Sequence, residues 1–183
     1  MKLIDRLCTN RQQRKQIAAA RTRLYRVALA WCGDAMLADD LAQEAVSLGL
    51  QKIHQLREPE RLNAWLYSIL NNCWKTHLRR QRPHEDLDDE MIGDTPAAEV
   101  SAGRLETVQR VRSAVARLPV DQRRVLSLVD LEGMAYCEVA EVLDVPIGTV
   151  MSRLHRGRRA LLGLLESTQR TQPVGKPVLR RVK

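Results

Sequence analysis

The 183-residue sequence contains no phenylalanine, and its only aromatic side chains besides histidine are three Trp and three Tyr. Strands favour aromatic and β-branched side chains, so an extended β sandwich is a poor match for this composition. Apolar burial must come from Leu, Val, Ala, Ile and Met, as in small helical domains. Long apolar runs are also missing. No stretch approaches the roughly 20 apolar residues of a membrane span, and the amino terminus has no signal-peptide core, so a cytoplasmic chain is expected. Cys8, Cys32, Cys73 and Cys137 are far apart with no CxxC pair, which reads as free thiols in a reducing compartment. Cys73 and His77 stand at i and i+4, but two potential zinc ligands are not four. No metal or other cofactor is expected. The sequence shows no nucleophile motif or phosphate-binding loop of the kind that marks an enzyme.

Positive charge is abundant. Lys and Arg total 30 against 22 Asp and Glu, a formal net charge of +8, which favours an anionic partner, nucleic acid or a lipid surface. The acids gather in one stretch, PHEDLDDEMIGDTPAAEVSAG at 83–103, which holds seven of them and no Lys or Arg. Little apolar periodicity runs through it, so it reads as an acidic flexible linker. By composition it is either a self-repelling tether or a strand of negative charge able to enter a channel that normally holds nucleic acid. The expected organisation is all-α: two small helical domains, 1–82 and 104–167, joined by this linker, then a basic tail at 168–183 expected to be disordered.

Apolar spacing predicts three helices before the linker. The first runs from about Gln12 to Cys32 on Ile17, Leu24, Val27, Ala28 and Trp31. Gly33 stops it and Asp34 caps the next, which runs from about Ala35 to Gln55 on Leu37, Leu41, Ala45 and Leu48. Pro59 suits a helix start, and the third helix runs from about Glu60 to Gln81 on Leu62, Leu66, Ile69, Leu70 and Cys73. Four more helices are expected after the linker. Leu105, Val108, Val111, Val115 and Leu118 mark one ended by Pro119; Val125, Leu126, Leu128 and Val129 belong to another closed by Gly133; the remaining two are Tyr136 to Leu143 and Ile147 to about Leu165.

The last two carry the sharpest pattern. At 100° per residue, Ile147, Val150, Leu154, Gly157 and Leu161 fall on one face, and Gly148, Thr149, Ser152, His155, Arg156 and Arg159 fall opposite, with Arg153 and Arg158 at the flanks. Small Ala140, Val145 in the turn and Val150 have helix-turn-helix spacing, which would present the start of the second helix to a major groove. An ordinary amphipathic helix pair fits the same spacing. Asp144 takes the turn position often filled by Gly and is among the few residues that tolerate the left-handed conformation.

Leu118 to Leu162, LPVDQRRVLSLVDLEGMAYCEVAEVLDVPIGTVMSRLHRGRRALL, closely resembles the promoter-binding region four of extracytoplasmic-function (ECF) bacterial sigma factors. LYRVALAWCGDAMLADDLAQEAV and RLNAWLYSILNNCWKTHLRR resemble the family's region two. The resemblance implies a protein that binds core RNA polymerase at its clamp coiled coil and flap, directs it to promoter DNA, and has no active site of its own. An anti-sigma factor, often membrane-bound in the family, is a further implied partner. The family's clamp-binding motif falls on Asp40, Gln43 and Glu44; the helical wheel independently places these with Ser47 on one face, opposite Leu41 and Leu48.

On the third helix Ser68, Asn71, Asn72, Lys75, Arg79 and Arg82 share a stripe. The cations there suit phosphates, and an Asn at the position of Asn72 suits a base edge. The resemblance implies that Asn72, with the loop from Gln55 to Asn63, holds a flipped base of the minus-ten element. Trp65 and Trp74 flank the apolar stripe and read as packing residues rather than base-stacking ones. The resemblance implies that contacts to the minus-thirty-five element fall on Met151, Ser152, Arg153, His155 and Arg156, with Thr149 on the same polar face. Met151 offers only apolar contact. The resemblance also favours the channel role for the acidic linker. The rival from another class is a stand-alone helix-turn-helix repressor or activator, which has no need of the acidic face on the second helix.

Overall fold

The computed structural model of the protein describes residues 2–81 and 104–170; Arg82, the acidic linker at 83–103 and the tail at 171–183 lie outside the described residues. All the described elements are helical. The amino-terminal half contains α1 (Lys2–Ala19), α2 (Arg21–Cys32), α3 (Ala35–Lys52) and α4 (Leu62–Gln81). Gly33 ends α2 at φ 73°, with its N–H donating to Leu29 O at 2.9 Å. The next residue, Asp34, is extended and accepts from the N–H groups of Met36 at 2.8 Å and Leu37 at 3.1 Å. This cap satisfies donors that the first turn of α3 would otherwise leave unpaired. Two 3-10 turns, Ile53–Gln55 and Pro59–Arg61, carry the chain from α3 into α4.

The expected first helix, Gln12 to Cys32, is two helices. The chain is helical from Lys2, and a turn at Ala20 separates α1 from α2. Ala20 N–H is shared between Gln16 O at 3.0 Å and Ile17 O at 3.1 Å, a tightening that lets α1 follow α3 while α2 turns to pack on both α3 and α4. No Gly or Pro marks the place. The direction change comes from packing.

The second half contains α5 (Arg104–Ala116), α6 (Val120–Leu126), α7 (Tyr136–Leu143) and α8 (Ile147–Arg170). The apolar stripe expected of α5 is only partly covered: Val115 and Leu118 are buried, Val108 and Val111 exposed. The α6 helix widens at its end into a π turn, Ser127–Leu131, closed by Glu132 N–H donating to Ser127 O at 3.2 Å. Asp144 adopts the left-handed conformation expected of it, φ 59° and ψ 53°, and Val145 N–H returns to Ala140 O at 3.0 Å. Val150 and Leu154 of α8 are buried. Gly157 is placed where α8 crosses α6, since a Cβ there would lie 3.3 Å from Gln122 Cβ. Because α8 continues to Arg170, residues 168–170 belong to this helix rather than to the expected disordered tail.

The buried apolar residues of the two halves form one continuous set, running from Ile17, Leu24, Trp31, Leu66 and Leu70 to Val125, Leu128, Val139 and Val150. Helices α2 and α4 pack against α6, α5 and α7. The sequence pattern suggests separate domains on a linker; the folded chain joins them through a shared interface.

Candidate functional site

Three exposed surfaces and one buried junction carry the candidate chemistry. The first surface lies on α3. Its buried residues Ala38, Leu41, Ala42 and Ala45 pack toward α2 and α4, and helical spacing then turns Asp40, Gln43, Glu44 and Ser47 outward. All four are exposed, and with Leu48 they line one shallow concavity. Two carboxylates, an amide and a hydroxyl converge there beside an apolar edge, which suits a basic, partly apolar partner surface.

The second surface is on α4. Asn72 and Arg79 are exposed, Lys75 is half-buried, and Arg79 donates to Thr76 Oγ1 at 3.3 Å. The stripe drawn from the helical wheel does not stay together. Asn71 is turned inward and fully buried, where its Nδ2 donates to Val142 O of α7 at 3.0 Å and its Oδ1 accepts from Arg124. Arg82 lies outside the described residues. Trp74 is buried, with its indole stacked on the His77 ring at 5.9 Å between centroids, and Trp65 is half-buried against the core. Cys73 is buried too, and among the described residues no group of three or more His, Cys, Asp or Glu is placed to hold a metal ion. The preceding loop is pinned by buried Ile53 and Leu62 at its ends while Arg57 to Glu60 are exposed.

The third surface is the polar face of α8. Ser152, His155, Arg156 and Arg159 are exposed, as is the apolar Met151, and Thr149 is half-buried. Arg156 Nε donates to Ser152 O at 3.3 Å and Ser152 Oγ to Thr149 O at 3.1 Å, so these groups bond back to their own helix while the Arg156 side chain as a whole stays exposed. The flanking arginines are otherwise engaged. Arg153 pairs with Asp121 of α6, and Arg158 donates through Nε to Asp130 Oδ2 at 3.1 Å. Both tie α8 to the helix beneath it, and the direct groove contact expected of Arg153 is spent on Asp121 in this arrangement.

The junction between the halves was not legible in the sequence. Trp31 Nε1 of α2 donates to Ser127 Oγ at 2.7 Å, and Ser127 Oγ donates to Arg124 O at 3.0 Å. The Arg124 guanidinium sits 5.6 Å from the Trp31 ring centroid, a cation–π distance. Glu132, its side chain 4 % exposed, accepts from Arg23 Nε at 2.9 Å and from the Tyr67 hydroxyl. Burial first, then the hydrogen bond to Glu132 and its charge, push the Tyr67 phenol above its ordinary range, so it remains a neutral donor. At the rim Arg61 pairs with Glu141 of α7. None of these residues has a local motif; only the closure of α2 and α4 on α6 and α7 brings them together.

The fold and these surfaces define the class of helical, helix-turn-helix proteins that bind DNA, here with a separate exposed polar face on α3. Comparison with known proteins agrees. Residues 17–84 match the family Sigma-70 region 2 and residues 108–161 match Sigma-70 region 4. The ECF RNA polymerase sigma factor EcfG of Rhodopseudomonas palustris is 35% identical over 153 residues, which is 83% of this chain and 84% of that protein. The RNA polymerase sigma-H factor of Pseudomonas aeruginosa is 34% identical over 70% of this chain and 72% of its own. Among solved structures, the sigma factor RpoE bound to the anti-sigma factor NepR from Bartonella quintana shares the fold, with a TM-score of 0.66 at 24% identity, covering 83% of this chain and 95% of that one. CnrH in complex with the cytosolic domain of CnrY gives 0.61 at 25% identity, covering 86% and 89%. The chain belongs to the ECF family of RNA polymerase sigma factors.

Proposed function

We propose that the α3 face of Asp40, Gln43, Glu44 and Ser47 grips the clamp coiled coil of core RNA polymerase, while α4 and α8 contact promoter DNA. In this reading Asn72 reads a base of the minus-ten element and Lys75, Arg79 and Arg82 neutralise its phosphates. Ser152, His155 and Arg156 read the minus-thirty-five element; Met151 and Thr149 contribute packing at its edge. In the folded chain Asn71 is engaged at the junction and Arg153 by Asp121 of α6, so neither is among the primary base contacts. The chain performs no chemistry itself, and the polymerase supplies the catalytic centre. What supports the reading is one chain with two exposed faces of opposite character, an acidic and amide face on α3 and a cationic one on α8. A stand-alone repressor has use only for the second.

An anti-sigma partner belongs to the same proposal. It is suggested by RpoE, solved with the anti-sigma factor NepR. Among the described residues no helix is long and apolar enough to cross a membrane. We place the chain in the cytoplasm, with any hold at the inner membrane face exerted through that partner.

Run-off transcription with core polymerase tests the assignment. Specific transcripts from a cognate promoter are expected with the chain and absent without it; equal transcription in its absence removes the sigma reading. Arg156→Ala should weaken upstream-element binding by roughly 1 to 3 kcal/mol, about tenfold or more, with core binding unchanged. Gln43→Ala should show the reverse, losing the core complex first. The two variants exchanging phenotypes would mean that the faces are misassigned.

A further inference from the structure

We infer that Ile147 and Met151 form an apolar step that reads the C5-methyl group of one thymine in the upstream promoter element. The inference rests on the reading of α8 as the minus-thirty-five contact and deepens it. Ile147, the first residue of α8, is 50% exposed and Met151 is 53% exposed, while the same helix buries Val150 and Leu154 completely or nearly so. Helical spacing assigns Ile147 to the buried stripe, yet at the start of α8 half of it is left uncovered. Met151 follows it by four residues, so the two stand one above the other on a single edge of the helix. At about 100° per residue Met151 is about 40° from His155, and the edge therefore runs directly into the exposed face of Ser152, His155, Arg156 and Arg159.

Both side chains lie in the first two turns of the second helix of the helix-turn-helix, the part that such helices set against base edges. Gly148 stands between them. It is exposed, and a Cβ built there would meet nothing within 4 Å. Its missing side chain lets the α8 backbone come close to the groove floor and brings both apolar groups within reach of the bases. The neighbouring charges decide what covers the step. Arg156 and Arg159 are exposed beside it, whereas Arg158, two turns beyond Met151 on the same edge, is drawn away to Asp130 Oδ2 at 3.1 Å. An apolar edge continuous with a cationic face fits the major groove, where phosphates flank the base pairs.

Thymine alone presents an apolar group there. Guanine offers the N7 and O6 acceptors, adenine the N7 acceptor and N6 donor, and cytosine the N4 donor, whereas thymine adds a C5-methyl to its O4 acceptor. An apolar side chain pressed on a polar edge leaves that edge desolvated and unpaired; pressed on a methyl, it takes two apolar surfaces out of water. The branched Ile147 is stiff and forms a wall, and the thioether of Met151 adapts to fill the space against it. Ser152 and Arg156 carry the hydrogen-bonding groups for polar edges. The step discriminates by the methyl itself, which a hydrogen-bonding side chain cannot do.

The test removes that methyl alone. The full chain assembled with core polymerase is titrated onto a cognate promoter in which each thymine of the upstream element, on either strand, is replaced in turn by deoxyuridine, which pairs as thymine does. One position should weaken promoter binding about fourfold, the value of one buried methyl-sized group. Met151→Ala should weaken binding to the all-thymine promoter by a similar factor and be indifferent to deoxyuridine at that position, a cycle that cancels any effect of the methyl on the DNA itself. Met151→Leu should keep the sensitivity, and Arg156→Ala should bind more weakly yet still distinguish thymine from deoxyuridine. Sensitivity at no position, or sensitivity that persists in the Ile147→Ala, Met151→Ala double variant, overturns the thymine contact. Loss of core polymerase capture by Met151→Ala assigns the step to the polymerase and overturns it as well. No promoter-specific binding by the unaltered chain with core polymerase overturns the sigma reading, and full binding by Arg156→Ala overturns the assignment of α8; the inference falls with either.

Discussion

At the residue scale, identical side chains separate by what they touch. Arg153 and Arg156 are three positions apart on α8, but Arg153 is paired with Asp121 and the Arg156 side chain stays exposed. The helical wheel put Arg153 on a flank and could go no further, because Asp121 belongs to a different helix. Cysteines divide in the same way. Burial, reinforced by the nearby charge of Glu44, pushes the Cys73 thiol up to about 11, whereas Cys137 is exposed. The thiolate is the reactive form, so at neutral pH iodoacetamide should modify Cys137 well before Cys73. Mass spectrometry of partially alkylated protein would show the order; rapid labelling of Cys73 in folded protein would mean that its pocket opens. Raising the pH toward the pKa of Cys73 should speed its modification, since ionisation rises with pH.

At the element scale, the α3 helix carries the residues proposed to face the polymerase, and its start depends on one side chain. Asp34→Ala removes the acceptor of two backbone N–H groups and should cost about 1 kcal/mol of stability, read by urea denaturation. If stability is unchanged, the cap is not holding the helix end. The caps and turns at Gly33, Asp34, Pro59 and Asp144 were legible because each acts through its own backbone conformation. The turn at Ala20 and the π turn at Ser127–Leu131 were not. Neither contains Gly or Pro, and both arise where neighbouring helices compete for direction. The continuation of α8 to Arg170 was missed for a related reason: its last turn has no apolar stripe.

At the scale of the whole molecule, the continuous buried set predicts coupled behaviour of the two halves. All three Trp, at 31, 65 and 74, are in the first half, so their fluorescence reports one side while far-UV circular dichroism reports both. The two transitions in urea should coincide for the unaltered chain. Glu132→Gln weakens a charge-assisted contact worth roughly 1 to 3 kcal/mol and should draw them apart; coincidence in the variant would show that Glu132 does not couple the halves. The sequence by itself determined the family, through the resemblance of its motifs, and the helical class and the exposed faces of α3 and α8. The class and the faces depend on periodicity or backbone preference within a few turns, where spacing alone dictates which side faces out. Only the tertiary structure decided that Asn71, Trp31 and Tyr67 meet Arg124, Ser127 and Glu132, because these partners lie 53 to 96 positions apart and no local rule links residues at that separation. Their meeting joins the two helical halves through one buried set, and it depends on shape and desolvation across an interface that no single helix encodes.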